Sequence, residues 1–167
     1  SFERARDRFV DSTGQPGPAM WEVGHSLEGE EQFPVSGVSW YEAAAYAEFV
    51  GKSLPTLHHW VAAAGPNDSA LLIPQSHFGG EGPQPVGQSG ALSKWGGYDM
   101  AGNVREWLWN SSGDQRHNLG GAWSDNTYLF TFANVQSPWD RLATNGFRLA
   151  QYPGGAEVDG SWAEIPL

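Results

Sequence analysis

Two carboxylates in one short segment are the residues whose types and spacing best suit chemistry. Asp99 and Glu106 stand among large apolar residues, and Gly102 between them permits a tight turn. Carboxylates in apolar surroundings are costly unless they are paired or bind a metal. With backbone carbonyls turned toward them, they would form the all-oxygen ligand set that Ca²⁺ prefers. We therefore expect a calcium site; the alternative is that both carboxylates cap the turn or pair with Arg105, Arg141 or Arg148.

The other titratable residues form no comparable constellation. The chain has no cysteine, which excludes a disulfide framework, a thiolate metal site and a cysteine nucleophile. Its five histidines lack a ligand spacing such as H-x-x-x-H, and the rings of His58 and His59 would diverge by about 100° on a helix. A Ser–His–Asp arrangement stays a minor alternative, because chance combinations of these common residues are frequent and the sequence alone does not dismiss it. We therefore assign no catalytic residue.

Charge and hydropathy limit the partners. The chain has 19 acidic and nine basic residues, for a net charge of −10. The phosphates of DNA and RNA would be repelled, so we expect no nucleic-acid partner. No apolar run approaches the ~18 residues of a membrane span, so we expect no membrane insertion by this segment. The compartment is left open, with an extracytoplasmic location favoured.

Composition predicts one domain with little regular secondary structure. A length of 167 residues suits one core, and nine Trp, 22 Gly and 11 Pro beside 17% charged residues are typical of many turns around aromatic rings. We place the domain at residues 1–152 and a tail or linker at residues 153–167.

Two helices are predicted early in the chain. Ser39 and Glu42 form an S-x-x-E capping box, and Gly51 would end the helix that follows. The buried stripe of this helix would comprise Trp40, Ala43, Ala44, Ala47 and Val50. A second helix would begin after Thr56 and end at Gly65. Its apolar face would comprise Leu57, Trp60, Val61 and Ala64.

Two strands are predicted toward the end of the chain. Leu119–Trp123 contains a Gly-Gly pair that permits close backbone approach. In Gly146–Gln151, apolar and polar residues alternate, which places Phe147 and Leu149 inward and Arg148 and Gln151 outward.

Five segments, in this order, resemble the formylglycine-generating-enzyme, or sulfatase-modifying-factor, family. They are Pro34–Trp40, Gly51–Thr56 with the helix after it, Gly97–Trp107, Leu119–Trp123 and Asn145–Arg148. The amino-acid sequences of these segments are most similar to those of the cysteine-free version fused to bacterial serine/threonine protein kinases. The resemblance implies an irregular α+β fold related to C-type lectin domains, with two early helices and short antiparallel strands. It also implies that the N-terminal part of the family domain is missing here.

The resemblance has a consequence for catalysis. Family enzymes oxidise a substrate cysteine with two cysteines of their own and a copper ion. Counted from the Gly-Gly pair, the places of those cysteines fall on Asp125 and Phe130, and neither can hold Cu(I) as a thiolate. We therefore predict no formylglycine-generating activity and no bound copper.

The resemblance also implies binding residues. Calcium would be held by the side chains of Asp99 and Glu106 and by the carbonyls of Gly102 and Val104. The family's substrate groove maps to Asp125, Asn126, Tyr128, Phe130, Trp139 and Arg141.

These observations predict a non-catalytic binding domain, stabilised by calcium, that serves as a ligand- or protein-binding module of a larger bacterial signalling protein. Its partner would be a protein, peptide or glycan. One alternative is a lectin-like carbohydrate-binding module, although the sugar motif of C-type lectins is missing where Gln84-Pro85 is followed by Val86. Another is an enzyme with altered, non-cysteine metal chemistry.

Overall fold

A mixed four-stranded sheet organises the fold. The computed structural model describes residues 17–22 and 25–152. The strands are β1 (Arg105–Ser112), β2 (Gln115–Leu119), β3 (Asn134–Gln136) and β4 (Asn145–Gly146), in the spatial order β3-β2-β1-β4. β2 pairs antiparallel with β1 and β3, whereas β4 runs parallel to β1. The short antiparallel strands that the sequence predicts are therefore present, with one parallel pair added.

The two early helices are confirmed. They are α1 (Trp40–Phe49) and α2 (Leu57–Ala64). The capping box of α1 is complete, because the Glu42 amide donates to Ser39 Oγ at 3.2 Å and the Ser39 amide donates to Glu42 Oε2 at 2.8 Å. α2 begins at its Thr56 cap, and Gly65 ends it in the left-handed conformation (φ 62°).

One residue predicted for the buried face of α1 is exposed instead. Trp40, Ala43 and Ala47 are buried, but Val50 is the residue that caps the helix C-terminus and is 37% exposed. The helix ends at Phe49, one residue before Val50, so Val50 does not continue its buried face.

Three further short helical segments follow α2, in a region where the sequence shows no sustained periodicity. They are a 3₁₀ turn (Pro66–Asp68), α3 (Ser69–Leu72) and a second 3₁₀ turn (Ile73–Gln75). A last 3₁₀ segment (Thr127–Thr131) precedes β3.

Both predicted strand ranges were wrong. The first predicted strand was expected to begin at Leu119. The strand found there, β2, ends at Leu119, because Gly120 and Gly121 take positive φ values of 99° and 70°. A Cβ on Gly121 would lie 2.9 Å from the Phe78 ring, so the glycine pair does mark a close approach, but in a loop.

The second predicted strand, Gly146–Gln151, is replaced by β4, which is only two residues long. Beyond it a single bridge joins Ala150 to Ser53. Phe147 and Leu149 pack against the core, as their alternation predicts. Arg148 does not point outward, because it forms an ion pair with buried Glu106.

The core has two parts, one around Trp60 and one that contains Trp40 and Trp107. Trp60 centres a cluster with Met100, Leu108, Leu119 and Phe130. The second cluster joins α1 to the sheet through Trp40, Ala43, Ala47, Leu54 and Trp107. Both indole N–H groups of Trp40 and Trp107 have a buried acceptor: that of Trp40 donates to the Leu108 carbonyl and that of Trp107 to the Val38 carbonyl. Among residues 17–22 and 25–152, no helix has the length and apolar character needed to span a membrane.

Candidate ligand-binding site

Asp125 is held in place by two hydrogen bonds. Its Oδ1 accepts from Arg105 Nη2 at 2.5 Å, and its Oδ2 accepts from the Ala122 amide at 2.8 Å. The side chains of the pair are only 17% and 9% exposed. Arg105 also donates to Thr144 Oγ1, which ties the pair to the segment before β4. Asp125 therefore fixes a loop, and both its oxygens are engaged.

Phe130 belongs to the core. It is 1% exposed, and its ring lies 6.0 Å from that of Trp60 between ring centroids. Its side chain stabilises the cluster under the 3₁₀ segment and offers no surface to a ligand.

A cleft of about 120 Å³ opens beside the Arg105–Asp125 pair. Its polar lining residues, which we call the polar wall, are Arg105, Asn118 and Asn134. Its other lining residues are Leu119, Gly121, Leu129 and Phe132. Ligand sites commonly combine an apolar wall with a few placed polar groups, and this cleft has both on a small scale.

A buried amide network supports the polar wall. Gln136 Oε1 accepts from Asn118 Nδ2 at 3.0 Å and from Asn145 Nδ2 at 2.5 Å. Asn118 and Asn145 are fully buried, and within the described residues neither side-chain oxygen has a hydrogen-bond partner. Such orphaned acceptors are uncommon in folded proteins. The network therefore retains hydrogen-bonding capacity behind the cleft.

The other predicted groove residues divide between two places. Asn126 and Tyr128 are exposed near the cleft, Tyr128 by 71%. Trp139 and Arg141 instead contact α1: the Trp139 ring lies tilted against that of Tyr41, with 4.4 Å between ring centroids, and Arg141 pairs with Glu42 at 3.0 Å. The six residues therefore do not form one continuous groove.

The Asp99–Glu106 segment contains buried carboxylates, as expected, and a cation beside them. Glu106 is 5% exposed and accepts two hydrogen bonds from Arg148, at 2.5 and 2.6 Å, and one from Trp60 Nε1 at 2.6 Å. Burial alone would lower the pKa of the Arg148 guanidinium, but the carboxylates of Glu106 and Asp99 outweigh it and raise the pKa. The guanidinium is therefore held charged.

The remaining proposed calcium ligands lie in a strained turn. Asp99 and Asn103 have φ values of 52° and 62°, and Gly102 has 75°. Asp99 accepts from the Gly87 amide at 2.6 Å and from Ser89 Oγ at 3.0 Å. All four carboxylate oxygens of the segment thus have protein donors. No three His, Asp or Glu side chains converge on one point in the part of the chain that the structure describes. This geometry favours the pairing alternative, with Arg148 as the partner.

Sequence reasoning missed the residues of the polar cleft wall. Arg105 lies within the Gly97–Trp107 motif and Asn118 directly precedes Leu119, so both were within recognised segments. Nothing in the local pattern distinguishes them, because β1, β2 and β3 meet only through sheet pairing.

Comparison with known proteins supports the family. The model of the sulfatase-modifying factor enzyme 1-like domain matches residues 3–153. The serine/threonine-protein kinase pkn1 of Chlamydia caviae is 40% identical over an alignment of 87 residues. The match covers 47% of this chain and 14% of the kinase. The inactive C-alpha-formylglycine-generating enzyme 2 of Bos taurus is 30% identical over 127 residues, or 61% of this chain and 42% of that protein. The chain thus spans less than half of either relative.

A solved structure shows the same fold. Treponema denticola variable protein 1 superposes with a TM-score of 0.63 at 22% identity, over 87% of this chain and 78% of that one. The α+β class and irregular character predicted from the sequence are confirmed. With the family model covering nearly its whole length, the chain belongs to the sulfatase-modifying factor enzyme 1-like family, that of the formylglycine-generating enzymes.

Proposed function

We propose that this chain is a non-catalytic, ligand- or protein-binding domain that works as a module of a larger bacterial signalling protein. The main support is the identity of two residues, Asp125 and Phe130, at the positions that the resemblance assigns to the family's catalytic cysteines. Asp125 is tied to Arg105, and Phe130 is part of the core. Because both residues have structural partners, the former catalytic region is stabilised by contacts that leave no reactive group. The likeness to a protein named inactive and to a protein kinase fits this proposal.

The cleft beside Arg105 is our candidate for the ligand site. It combines apolar Leu129 and Phe132 with polar Asn118 and Asn134. Exposed Tyr128 and Asn126 flank it on the 3₁₀ segment and its cap. A peptide or small polar ligand with one apolar group would suit these walls.

Substitutions at the cleft rim test this assignment. Phe132 is 61% and Tyr128 71% exposed, so Phe132→Ala and Tyr128→Ala should leave the fold intact. We expect each to lower the recovery of partners by the immobilised domain, measured by quantitative mass spectrometry. Leu71→Ala is the matched control, because Leu71 is 73% exposed on α3. Equal recovery by both rim variants and the wild type would move the site elsewhere.

We retain calcium as a proposal for the Asp99–Glu106 segment. Its support is two buried carboxylates: Asp99 lies in a turn where Gly102 and Asn103 also take positive φ values, and Glu106 lies at the start of β1. A calcium ion there would have to displace Arg148 from Glu106. The ion and the guanidinium would therefore compete for the Glu106 carboxylate.

A further inference from the structure

The outward face of α1 carries aromatic residues where a surface helix usually carries polar ones. Tyr41, Ala45 and Phe49 follow one another at four-residue spacing, and all are exposed. Phe49 is 85% exposed, and Tyr46 beside this row is 50% exposed. The opposite face of α1 packs on the core through Trp40, Ala43 and Ala47. Apolar residues on both sides of a helix indicate that both sides are covered in use.

Trp139 extends this face past the start of the helix. Its ring is 69% exposed and lies 4.4 Å from that of Tyr41. At 1.5 Å per residue, the eight residues from Tyr41 to Phe49 add about 12 Å. We call Trp139, Tyr41, Tyr46 and Phe49 the α1 stripe. It is a row of exposed aromatic residues about two helical turns long, in which Trp139 contacts Tyr41 and Tyr46 contacts Phe147 at its side.

The charges along the α1 stripe are acidic and unpaired. Glu48 lies on the helix and Asp140 follows Trp139; within the described residues, neither carboxylate has an ion-pair partner. The two nearby arginines are engaged: Arg141 pairs with Glu42, and the Arg116 guanidinium lies 3.8 Å from the Trp40 ring centroid. Lys52 is exposed beyond the helix end. The stripe thus offers apolar rings flanked by free negative charge.

We infer that the α1 stripe binds a polypeptide segment that carries basic side chains beside apolar ones. A Lys or Arg side chain would stack on Trp139 or Tyr41 and pair with Asp140, since an aromatic face attracts a cation. An apolar neighbour would cover Phe49. The partner is not a second copy of this chain, because each copy has a net charge of −10 and would bring Glu48 and Asp140 against the same carboxylates. The inference does not depend on the cleft.

Two labelled synthetic helical peptides test the inference, one with Leu and Lys on opposite faces and one with Glu in place of every Lys. Fluorescence anisotropy should show binding of the Lys peptide alone, weakening as salt is raised. Phe49→Ser and Trp139→Ala should each weaken binding about tenfold, as expected for aromatic residues at the centre of an interface. Asp140→Asn should weaken it less.

Matched controls separate this surface from others. Trp95→Ala removes an aromatic ring that is 70% exposed outside the stripe, and Phe132→Ala changes the cleft; both should bind the Lys peptide as the wild type does. Equal binding of the Glu peptide, no binding of the Lys peptide, or unchanged binding by Phe49→Ser and Trp139→Ala would each overturn the inference. A dimer in sedimentation that Phe49→Ser disperses would also overturn it, in favour of self-association.

Discussion

Two of the guanidinium–carboxylate pairs fix carboxylates that are largely removed from solvent, Glu106 and Asp125. Arg148 binds Glu106 within the Gly97–Trp107 segment, and Arg105 binds Asp125 shortly after the Gly120–Gly121 pair. A buried pair contributes little net stability relative to apolar side chains, but removing one partner leaves an uncompensated charge. Each carboxylate is therefore fixed where it lies, and neither is free to act as a base.

The Glu106–Arg148 pair predicts a large effect of a small change. Glu106→Gln should lower the free energy of unfolding by about 3 kcal/mol, because it leaves the Arg148 charge without its partner. Urea unfolding monitored by circular dichroism measures this. Asp68→Asn is the control: the Lys94–Asp68 pair is 3.6 Å apart with half-exposed side chains, so less than about 1 kcal/mol should be lost. A similar loss in both variants would contradict the structural role of Arg148.

Calcium can be tested at the same residues. If the Asp99–Glu106 segment binds Ca²⁺, millimolar calcium raises the melting temperature above that in excess chelator, because a ligand of the native state stabilises it. Asp99→Ala and Glu106→Ala should remove the difference, whereas Asp114→Ala, in the exposed β1–β2 turn, should keep it. Identical melting of the wild type with calcium and with chelator would rule against the ion and leave Arg148 as the sole cation there.

At the scale of secondary structure, two tryptophans join the helices to the sheet. Trp40 of α1 donates to the Leu108 carbonyl in β1, and Trp60 of α2 donates to Glu106 in the same strand. Both helices thus dock on β1, whose residues Glu106, Trp107 and Leu108 are consecutively buried.

Truncating these anchors should be costly. Trp60→Ala and Trp40→Ala are expected to destabilise the domain by about 3–5 kcal/mol each, through loss of buried area and the cavity left behind. Thermal and urea unfolding would show this. Trp95→Ala, at a 70% exposed position, should change stability by no more than about 0.5 kcal/mol. A Trp60→Ala domain as stable as the wild type would show that α2 does not depend on this contact.

Local signals explain why the helices were predictable and the strands were not. The Ser39–Glu42 box and the Thr56 and Gly65 caps act within a few residues, so they can be read directly from the sequence. The strand ends depend on Gly120 and Gly121, whose positive φ values accompany contacts with Trp60 and Phe78 far away in sequence. The cleft has the same origin, since its polar wall combines β1, β2 and β3.

At the scale of the whole molecule, the fold has been kept while the family's reactive groups are absent. The chain retains the family's order of segments over residues 3–153, yet it has no cysteine. Thiolate is the species that captures Cu(I) and exchanges disulfides with a substrate. A binding surface needs neither, because shape and charge suffice for it. On these grounds we propose that this domain functions in recognition.

The most direct test of this account is an assay for formylglycine. The purified chain is incubated with a cysteine-containing sulfatase-type peptide, copper and oxygen, and the peptide is weighed by mass spectrometry. A cysteine-containing formylglycine-generating enzyme serves as the positive control. We predict that the peptide cysteine remains unchanged at all copper concentrations. An aldehyde product that forms with this chain, and persists after removal of contaminating enzyme, would contradict the non-catalytic assignment.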